Sequence, residues 1–248
     1  MHSSTGQRAQ VPSVRVLRTA ILALVLMLPL SACGPSEPLQ RQAFIDFLKV
    51  RLLEKPGIRL PVPSDGERKA WGPYATHYAV IADGYHALDG AARAVYTEFN
   101  ALNRGVVMIG ALVDKRSEVE RLRDATKAFA DTIEQRLEAA KAARTALPPQ
   151  PADLKPVFDA AFERTVSRLA AIWIEATPAI QRTLSSYLDL IDFIARHKGS
   201  VQVSSATITP SDQKLVPRLT ELMNAVRDSV AASNAQISKG NEAIAKGQ

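Results

Sequence analysis

The chain has 248 residues, and its 31 Lys and Arg against 25 Asp and Glu give a net charge of +6 at pH 7. Apolar residues make up 46% of it and aromatic residues only 6%, which is typical of a helical protein with a sizeable core. Basic and acidic residues alternate along most segments, so the clustered basic face of a nucleic-acid-binding protein is excluded and no nucleic-acid partner is expected.

The N-terminal segment has the pattern of a secretory signal. Three arginines, with no acidic residue among them, precede an apolar run, Ala20–Leu30. As a helix this run extends about 16 Å, roughly half of the hydrocarbon core of a membrane. The run ends at Leu30-Ser31-Ala32-Cys33, which holds the only cysteine of the chain. These residues match the bacterial lipobox, whose cysteine receives diacylglycerol before the chain is cleaved on its amino side.

The match implies cleavage between Ala32 and Cys33, loss of residues 1–32, and a mature chain that begins with lipidated Cys33. An uncleaved anchor helix, a core helix and an ordinary signal peptide are the alternatives. Three of the 31 basic residues and no acidic one lie in 1–32, so the mature chain carries +3. The covalent lipid is the one non-protein group expected, with no cofactor and no disulfide. The expected location is the periplasmic face of the bacterial cell envelope. By resemblance to enterobacterial sorting, in which Asp at this position retains a lipoprotein in the inner membrane, Gly34 implies the outer membrane.

Residues 33–39 are predicted to be the acylated cysteine and a short tether, and residues 40–248 a single all-α domain. We expect an antiparallel bundle of five or six helices. The first, Gln40–Leu53, ends at Lys55-Pro56-Gly57 and is followed by an extended connection, Ile58–Asp65. Its apolar face carries Phe44, Phe47, Leu48 and Leu52.

The clearest helical pattern begins at Trp71, with apolar residues at alternating spacings of three and four. It predicts a long core helix, Trp71–Leu102. Gly84 and Gly90 lie inside it, where a neighbouring backbone is expected to approach. The stripe consists of Trp71, Tyr74, Tyr78, Ile81, Tyr85, Leu88, Ala92, Val95, Phe99 and Leu102.

The run Val106–Val113 fits either a buried helical turn or an extended piece, and periodicity does not decide between them. Ser117 and Glu120 predict a capping box for a helix that reaches about Ala146. Asp153 is the predicted N-cap of a further helix, which Thr177-Pro178 restarts or kinks before it ends near His197.

The last part of the chain contains a weak alternation, Val201–Thr209, that predicts a small β-hairpin through Ser204-Ser205-Ala206. Thr209-Pro210-Ser211-Asp212 is predicted to cap the last helix. The tail Ser233–Gln248 is small and polar, and we expect it to fray.

Three blocks of sequence resemble the YiaF-type bacterial lipoproteins, in order and in spacing. They are Arg41–Leu48, Trp71–Tyr74 and Asp153–Phe162. The resemblance covers most of the mature chain and implies a lipid-anchored extracytoplasmic protein of a domain-of-unknown-function class. It brings no catalytic residues.

No metal site is predicted. His77 and His86 are nine residues apart, on opposite sides of a helix. His86 with Asp83 and Asp89 has a ligand-like spacing that is common on surface helices, and His197 suits a helix C-terminus.

No catalytic motif is found either, and we expect a non-enzyme. The catalytic pattern Ser-x-x-Lys occurs at Ser211-Asp212-Gln213-Lys214, but this segment is explained by the start of a helix and is not interpreted as a catalytic site. Asp46 stands beside Phe44 and Phe47 in the sequence, so it is the carboxylate for which burial in the folded protein is of most interest.

Two function classes remain. The leading hypothesis is a non-enzymatic envelope protein, held to the membrane by lipid and acting through an envelope protein partner. The alternative is a periplasmic small-molecule or glycan binder, with a groove lined by Trp71, Tyr74, Tyr78 and Tyr85. The stripe spacing of these aromatic residues favours a core over a groove.

Overall fold

A computed structural model describes residues 35–105, 113–204 and 207–247. The residues from Glu37 onward belong to one compact unit. The α-helices are α1 Glu37–Phe47, α2 Asp65–Ala70, α3 Ala75–Gly105, α4 Arg116–Thr145, α5 Lys155–Phe162, α6 Arg168–Arg196 and α7 Val216–Lys246. Two π-helical turns are continuous with these helices: Leu48–Leu53 continues α1, and Glu163–Ser167 joins α5 to α6. Two 3-10 turns come before helices: Gly72–Tyr74 precedes α3, and Gln213–Leu215 precedes α7.

Because the π turns leave no break, the described residues form six continuous helical segments, and the predicted all-α bundle is confirmed. Helix α6 is central and packs mainly against α4 and α7, while α3 packs against α4. The core lies along these helices in three clusters. The largest cluster joins α1, α3, α4, α5 and the first turns of α6. The second joins α3, α4 and α6, and the third joins α6, the strands and α7.

The predicted apolar stripe from Trp71 to Leu102 is buried. Eight of its ten side chains are at most 9% exposed, and Tyr85 and Val95 are half-buried against the core. The helix itself begins at Ala75, because Gly72 has a φ of +54° and separates Trp71 from α3. A side chain at Gly84 would lie 3.1 Å from the Cβ of Ala140, so close packing occurs there.

Gly90 behaves differently, because a Cβ built on it meets nothing within 4 Å. The expected close approach at Gly90 is therefore wrong. The first helix is close to its predicted bounds and buries Phe44, Phe47, Leu48 and Leu52. The undecided run Val106–Val113 lies outside the described residues except for Val113.

The capping box is in a different place from the predicted one. Ser64 accepts a hydrogen bond from the backbone N–H of Glu67, and the Glu67 carboxylate accepts from the Ser64 backbone N–H at 2.7 Å. Helix α4 instead begins at Arg116, and its N-cap Lys115 makes no side-chain capping bond. The Ser117 box is therefore wrong, because the helix starts before that serine.

Two other predicted helix boundaries are corrected. The N-cap of α5 is Leu154, while Asp153 accepts a hydrogen bond from the Leu154 N–H and a second from Arg41. Thr177 and Pro178 lie inside the continuous helix α6. The hydroxyl of Thr177 donates to the Trp173 carbonyl and buried residues flank the proline on both sides, so packing holds the helix through it.

The predicted hairpin is confirmed as β1 Val201–Val203 and β2 Ile208–Pro210, paired antiparallel with Gln202 opposite Thr209. Its buried residues, Val201 and Ile208, belong to the third core cluster. Asp212 caps the 3-10 turn that leads into α7 by accepting from the Lys214 N–H.

The expected fraying of the tail is wrong. Helix α7 reaches Lys246 and ends with Gly247 at a φ of +74°, whose N–H donates to the Ala243 carbonyl at 2.8 Å. Ile244 packs against the largest core cluster, and its carbonyl accepts from the Ile58 N–H at 2.7 Å. This contact holds the helix end because it joins the last helix to the loop after α1.

Candidate functional site

The aromatic residues of the predicted groove pack inside the core. The Trp71 ring lies 4.5 Å from the Phe47 ring and 5.4 Å from the Tyr78 ring, with edge-on or tilted geometry. Trp71, Tyr74 and Tyr78 are at most 7% exposed. Only Tyr85 is half-buried. Trp71, Tyr74 and Tyr78 therefore belong to the first core cluster, and Tyr85 packs against it.

The hydroxyl groups of two of these tyrosines have partners at the edge of the core. Tyr78 donates to the Pro61 carbonyl, and burial raises the pKa of Tyr78 to about 12. Tyr74 donates to the Glu37 carboxylate, and the pKa of Tyr74 is raised by burial and by that neighbouring carboxylate. Both phenols therefore stay neutral as hydrogen-bond donors.

Arg41 extends the polar edge around Tyr74 from α1 to α5. Its guanidinium lies 2.9 Å from a Glu37 oxygen and 3.0 Å from an Asp153 oxygen. Asp46 lies on the exposed side of α1 and accepts from Gln42, so its position beside two phenylalanines does not bury it. The Arg41–Asp153 pair thus connects α1 to the segment just before α5, while the Glu37–Arg41 pair and the Gln42–Asp46 bond lie within α1.

His77 is the one buried histidine of the described residues. Its ring lies 5.3 Å from the Tyr74 ring and 5.6 Å from the Phe158 ring, and its Nδ1 atom is buried without a hydrogen-bond partner among the described residues. Burial lowers the pKa of His77, and the neighbouring Pro73 carbonyl opposes that shift in part. His77 is therefore a neutral core residue.

The other histidines have separate surroundings. His86 is exposed on α3, where the neighbouring Asp89 pairs with Arg93 at 2.7 Å. Nδ1 of His197 lies 2.8 Å from the Phe193 carbonyl at the end of α6. Within the described residues, no three His, Cys, Asp or Glu side chains come together in a group able to hold a metal ion.

The Ser-x-x-Lys match is a turn. Ser211 Oγ donates to the Ser200 carbonyl at 3.2 Å, while Asp212 accepts from the backbone of Lys214. The hydrogen bond from Ser211 thus links the segment before α7 to the segment after α6.

Sequence reasoning missed an apolar pocket between four helices. Its cavity measures about 50 Å³ and lies among α3, α4, α6 and α7. Trp173 lines it, with its ring 6.2 Å from Phe129 in an edge-on arrangement. The Nε1 atom of Trp173 is buried and has no hydrogen-bond partner in the described part of the chain. The other principal lining residues are Phe99, Thr126, Ala176, Ile180 and Ile237.

A second, charged cleft of about 470 Å³ lies between the end of α4 and α5. Arg144 and Lys155 each lie 2.6 Å from an oxygen of Asp159. Desolvation acts to raise the pKa of Asp159, but these two cations outweigh it and lower that pKa. Both cations therefore already have an anionic partner inside the protein.

The predicted lipidation site, Cys33, and the cleavage position after Ala32 lie outside the described residues. In the segments that the structure does describe, no helix combines the length and the hydropathy needed to cross a membrane.

Comparison with known proteins gives one family. A family described as "Protein of unknown function (DUF3053)" matches residues 21–240. The "Uncharacterized protein YiaF" of Escherichia coli strain K12 is 30% identical over 200 residues, which cover 78% of this chain and 82% of that protein. Proteins of the same name from Escherichia coli O157:H7 and Shigella flexneri match equally. No solved structure matches the chain.

Proposed function

The chain belongs to the DUF3053 family of proteins of unknown function, and on that premise we propose that it is a lipid-anchored, non-enzymatic protein of the bacterial cell envelope. The observation that carries the proposal is the sequence Leu30-Ser31-Ala32-Cys33 at the end of an apolar run. Two or three acyl chains on Cys33 anchor a protein stably, whereas a single myristoyl-like chain binds only marginally.

The tether supports a role at the membrane surface. Helix α1 begins at Glu37, four residues after Cys33, and four extended residues reach about 14 Å at most. A bundle attached in this way is held next to the lipid headgroups. Gly34 at the second position of the mature chain favours the periplasmic face of the outer membrane over the inner membrane.

The chemistry of the bundle supports action through protein contacts. His77 packs in the core, His197 contacts the Phe193 carbonyl, and the described Ser-x-x-Lys match is part of a turn. The alternative of a small-molecule or glycan groove at Trp71–Tyr85 loses support, because three of its four rings fill the core.

Intact-mass analysis of the protein from purified membranes tests the anchor. We expect a mature chain that starts at Cys33 with diacylglycerol attached, and no lipid on a Cys33→Ala variant. Unmodified Cys33 in the membrane fraction of the natural protein contradicts the proposal.

Complementation in a strain whose envelope-stress sensitivity depends on the gene tests the scaffold role. Changing His77, His86 and His197 together to Gln should leave function intact apart from a modest loss of stability, while Cys33→Ala should abolish function without unfolding the bundle. A folded, correctly located histidine-free variant that fails, together with a soluble variant that complements, means that a catalytic or metal site must be sought. Crosslinking of the acylated protein in intact cells then identifies the envelope partner.

A further inference from the structure

Four helix ends lie together at one end of the bundle. The Glu37 carboxylate accepts from the Tyr74 hydroxyl, which joins the start of α1 to the turn before α3. Arg41 donates to Asp153 at 3.0 Å, which joins α1 to the segment before α5. The connection between α4 and α5 brings the end of α4 to the same place. We call this surface, residues 37–41, 70–76 and 146–153, the tether end.

The tether end is fastened close to the proposed lipid. Glu37 is the first residue of α1, and Arg41 holds it at 2.9 Å in addition to the Tyr74 hydroxyl. At most about 14 Å of extended chain separate Glu37 from Cys33. Helix α6, by comparison, has 29 residues and extends about 44 Å. The tether is therefore much shorter than the bundle, and the surface around Glu37 stays within reach of the lipid headgroups.

The tether end is also poor in charge. Residues 70–76 and 146–152 contain no charged residue, whereas 23% of the residues in the chain are charged. The charged side chains beside these two segments form ion pairs, which are Glu37–Arg41, Arg41–Asp153 and Lys155–Asp159. Contact of this surface with lipid therefore leaves none of these charges without a partner.

Exposed apolar side chains project from the same surface. Leu39, in the first turn of α1, is 63% exposed. Pro73, Pro149 and Ala152 are exposed on the other two segments. Leucine is a residue that proteins place at the boundary between headgroups and acyl chains.

The opposite end of the bundle is charged. Arg116 at the start of α4 lies 2.8 Å from Asp192 near the end of α6, so these two helix ends meet there. Arg196 and Lys198 follow on the exposed surface, just before the β-hairpin. The two ends of the bundle thus differ in charge, and the uncharged one is the end next to the tether.

We propose that the tether end rests on the surface of the lipid bilayer, so that the bundle stands upright on the membrane with the β-hairpin pointing away from it. Leu39 enters the headgroup boundary, and the charged end stays in water. This orientation deepens the proposed envelope function and rests on the lipid anchor at Cys33.

Spin labels on introduced cysteines test the orientation in the acylated full chain in lipid nanodiscs, since the Cys33 thiol is consumed by its thioether. Ala152→Cys and Thr76→Cys label the tether end, Val50→Cys labels the exposed side of α1, and Lys198→Cys labels the opposite end. The measurement is the ratio of relaxation by oxygen, which concentrates in the bilayer, to relaxation by a water-soluble nickel complex. We expect this ratio to be at least about threefold higher at the tether end than at Lys198→Cys.

The outcomes separate the orientation from the anchor, because intact mass reports the lipid on the same samples. A lipidated chain with equal ratios at Ala152→Cys, Thr76→Cys and Lys198→Cys overturns the orientation alone. A high ratio at Val50→Cys in place of Ala152→Cys means that the bundle lies on its side, which also overturns it. A chain without lipid that does not stay with the nanodiscs overturns the anchor and the orientation together.

A matched pair of substitutions tests Leu39. Leu39→Asp places a charge on the contact surface and should lower the ratio at a label on Ala152→Cys by at least about half. Val50→Asp is the control, because Val50 is an exposed aliphatic residue of the same helical segment, 11 residues farther from the tether. It should leave the ratio unchanged. Equal effects of the two substitutions contradict the placement of Leu39 in the headgroup boundary.

Discussion

His77 lies among aromatic rings with only 5% of its surface exposed, and this environment determines how it titrates. Burial lowers the pKa of His77, so the imidazole is neutral in the folded protein where the unfolded chain would already hold a proton. Protonation then favours the unfolded state. The stabilising effect is complete above the unfolded pKa of about 6.5 and is lost as the pH falls through the lower folded value.

We therefore expect the free energy of unfolding to decrease between pH 7.5 and pH 5.5, by at most about 1.4 kcal/mol per pH unit for this one proton. His77→Gln should lower stability at neutral pH and flatten this dependence. Denaturant titrations at several pH values measure it, with His86→Gln, on the exposed side of α3, as the control. If both variants keep the natural slope, another group causes the acid sensitivity.

At the scale of the helix, the capping box at Ser64 and Glu67 can be tested against the box that does not form. Ser64→Ala removes an acceptor for the first turn of α2 and should be destabilising by about 1 kcal/mol. Ser117→Ala is the matched control, because Ser117 is exposed and lies inside α4 after its start. Thermal melts of the two variants measure the difference. Equal shifts would mean that the α2 cap contributes nothing specific.

Helix α3 carries a second prediction at this scale. Leu88 and Tyr78 are buried in the stripe, and changing either to Ala should be destabilising by about 2–5 kcal/mol. Thr97→Ala, on the exposed side of the same helix, should stay within about 0.5 kcal/mol of the natural chain. Denaturant titration distinguishes them. Shifts of less than a degree for both buried variants in parallel melts would contradict the burial of the stripe.

These elements show what the sequence could and could not predict. The stripe from Trp71 to Leu102 was predicted because helical periodicity is a local property of the chain. The capping box was misplaced because Ser64 and Ser117 have the same local pattern, and the residue at which each helix starts depends on packing. For a similar reason the helix does not restart at Pro178, which was one of the two alternatives there. Its helix is held by buried neighbours on both sides.

The pocket could not have been predicted at all. Its lining residues come from four helices. In the sequence they extend from Ala92 to Ile244. Each of them matches an ordinary apolar or small position of its own helix. Only the arrangement of the whole bundle brings Trp173 to the wall of a cavity.

At the scale of the whole molecule, the end of α7 is a structural part of the core. Removing residues 242–248 takes away Ile244 and the acceptor for the Ile58 N–H. We expect a loss of about 2–4 kcal/mol, measured by denaturant titration. Lys246→Ser is the control, since Lys246 is exposed and pairs with Glu242 of its own helix. A truncated chain as stable as the control would show that the tail contributes nothing to the core.

The contact between Ile58 and Ile244 also has a consequence for the order of events during synthesis. It joins a loop near the start of the bundle to the last turn of its last helix. Contacts between such distant residues form only after both have been made, and they slow folding because a long loop must close first. This contact therefore forms only when nearly the entire chain has been made. Until then the nascent bundle lacks the stabilising contribution of the last turn of α7.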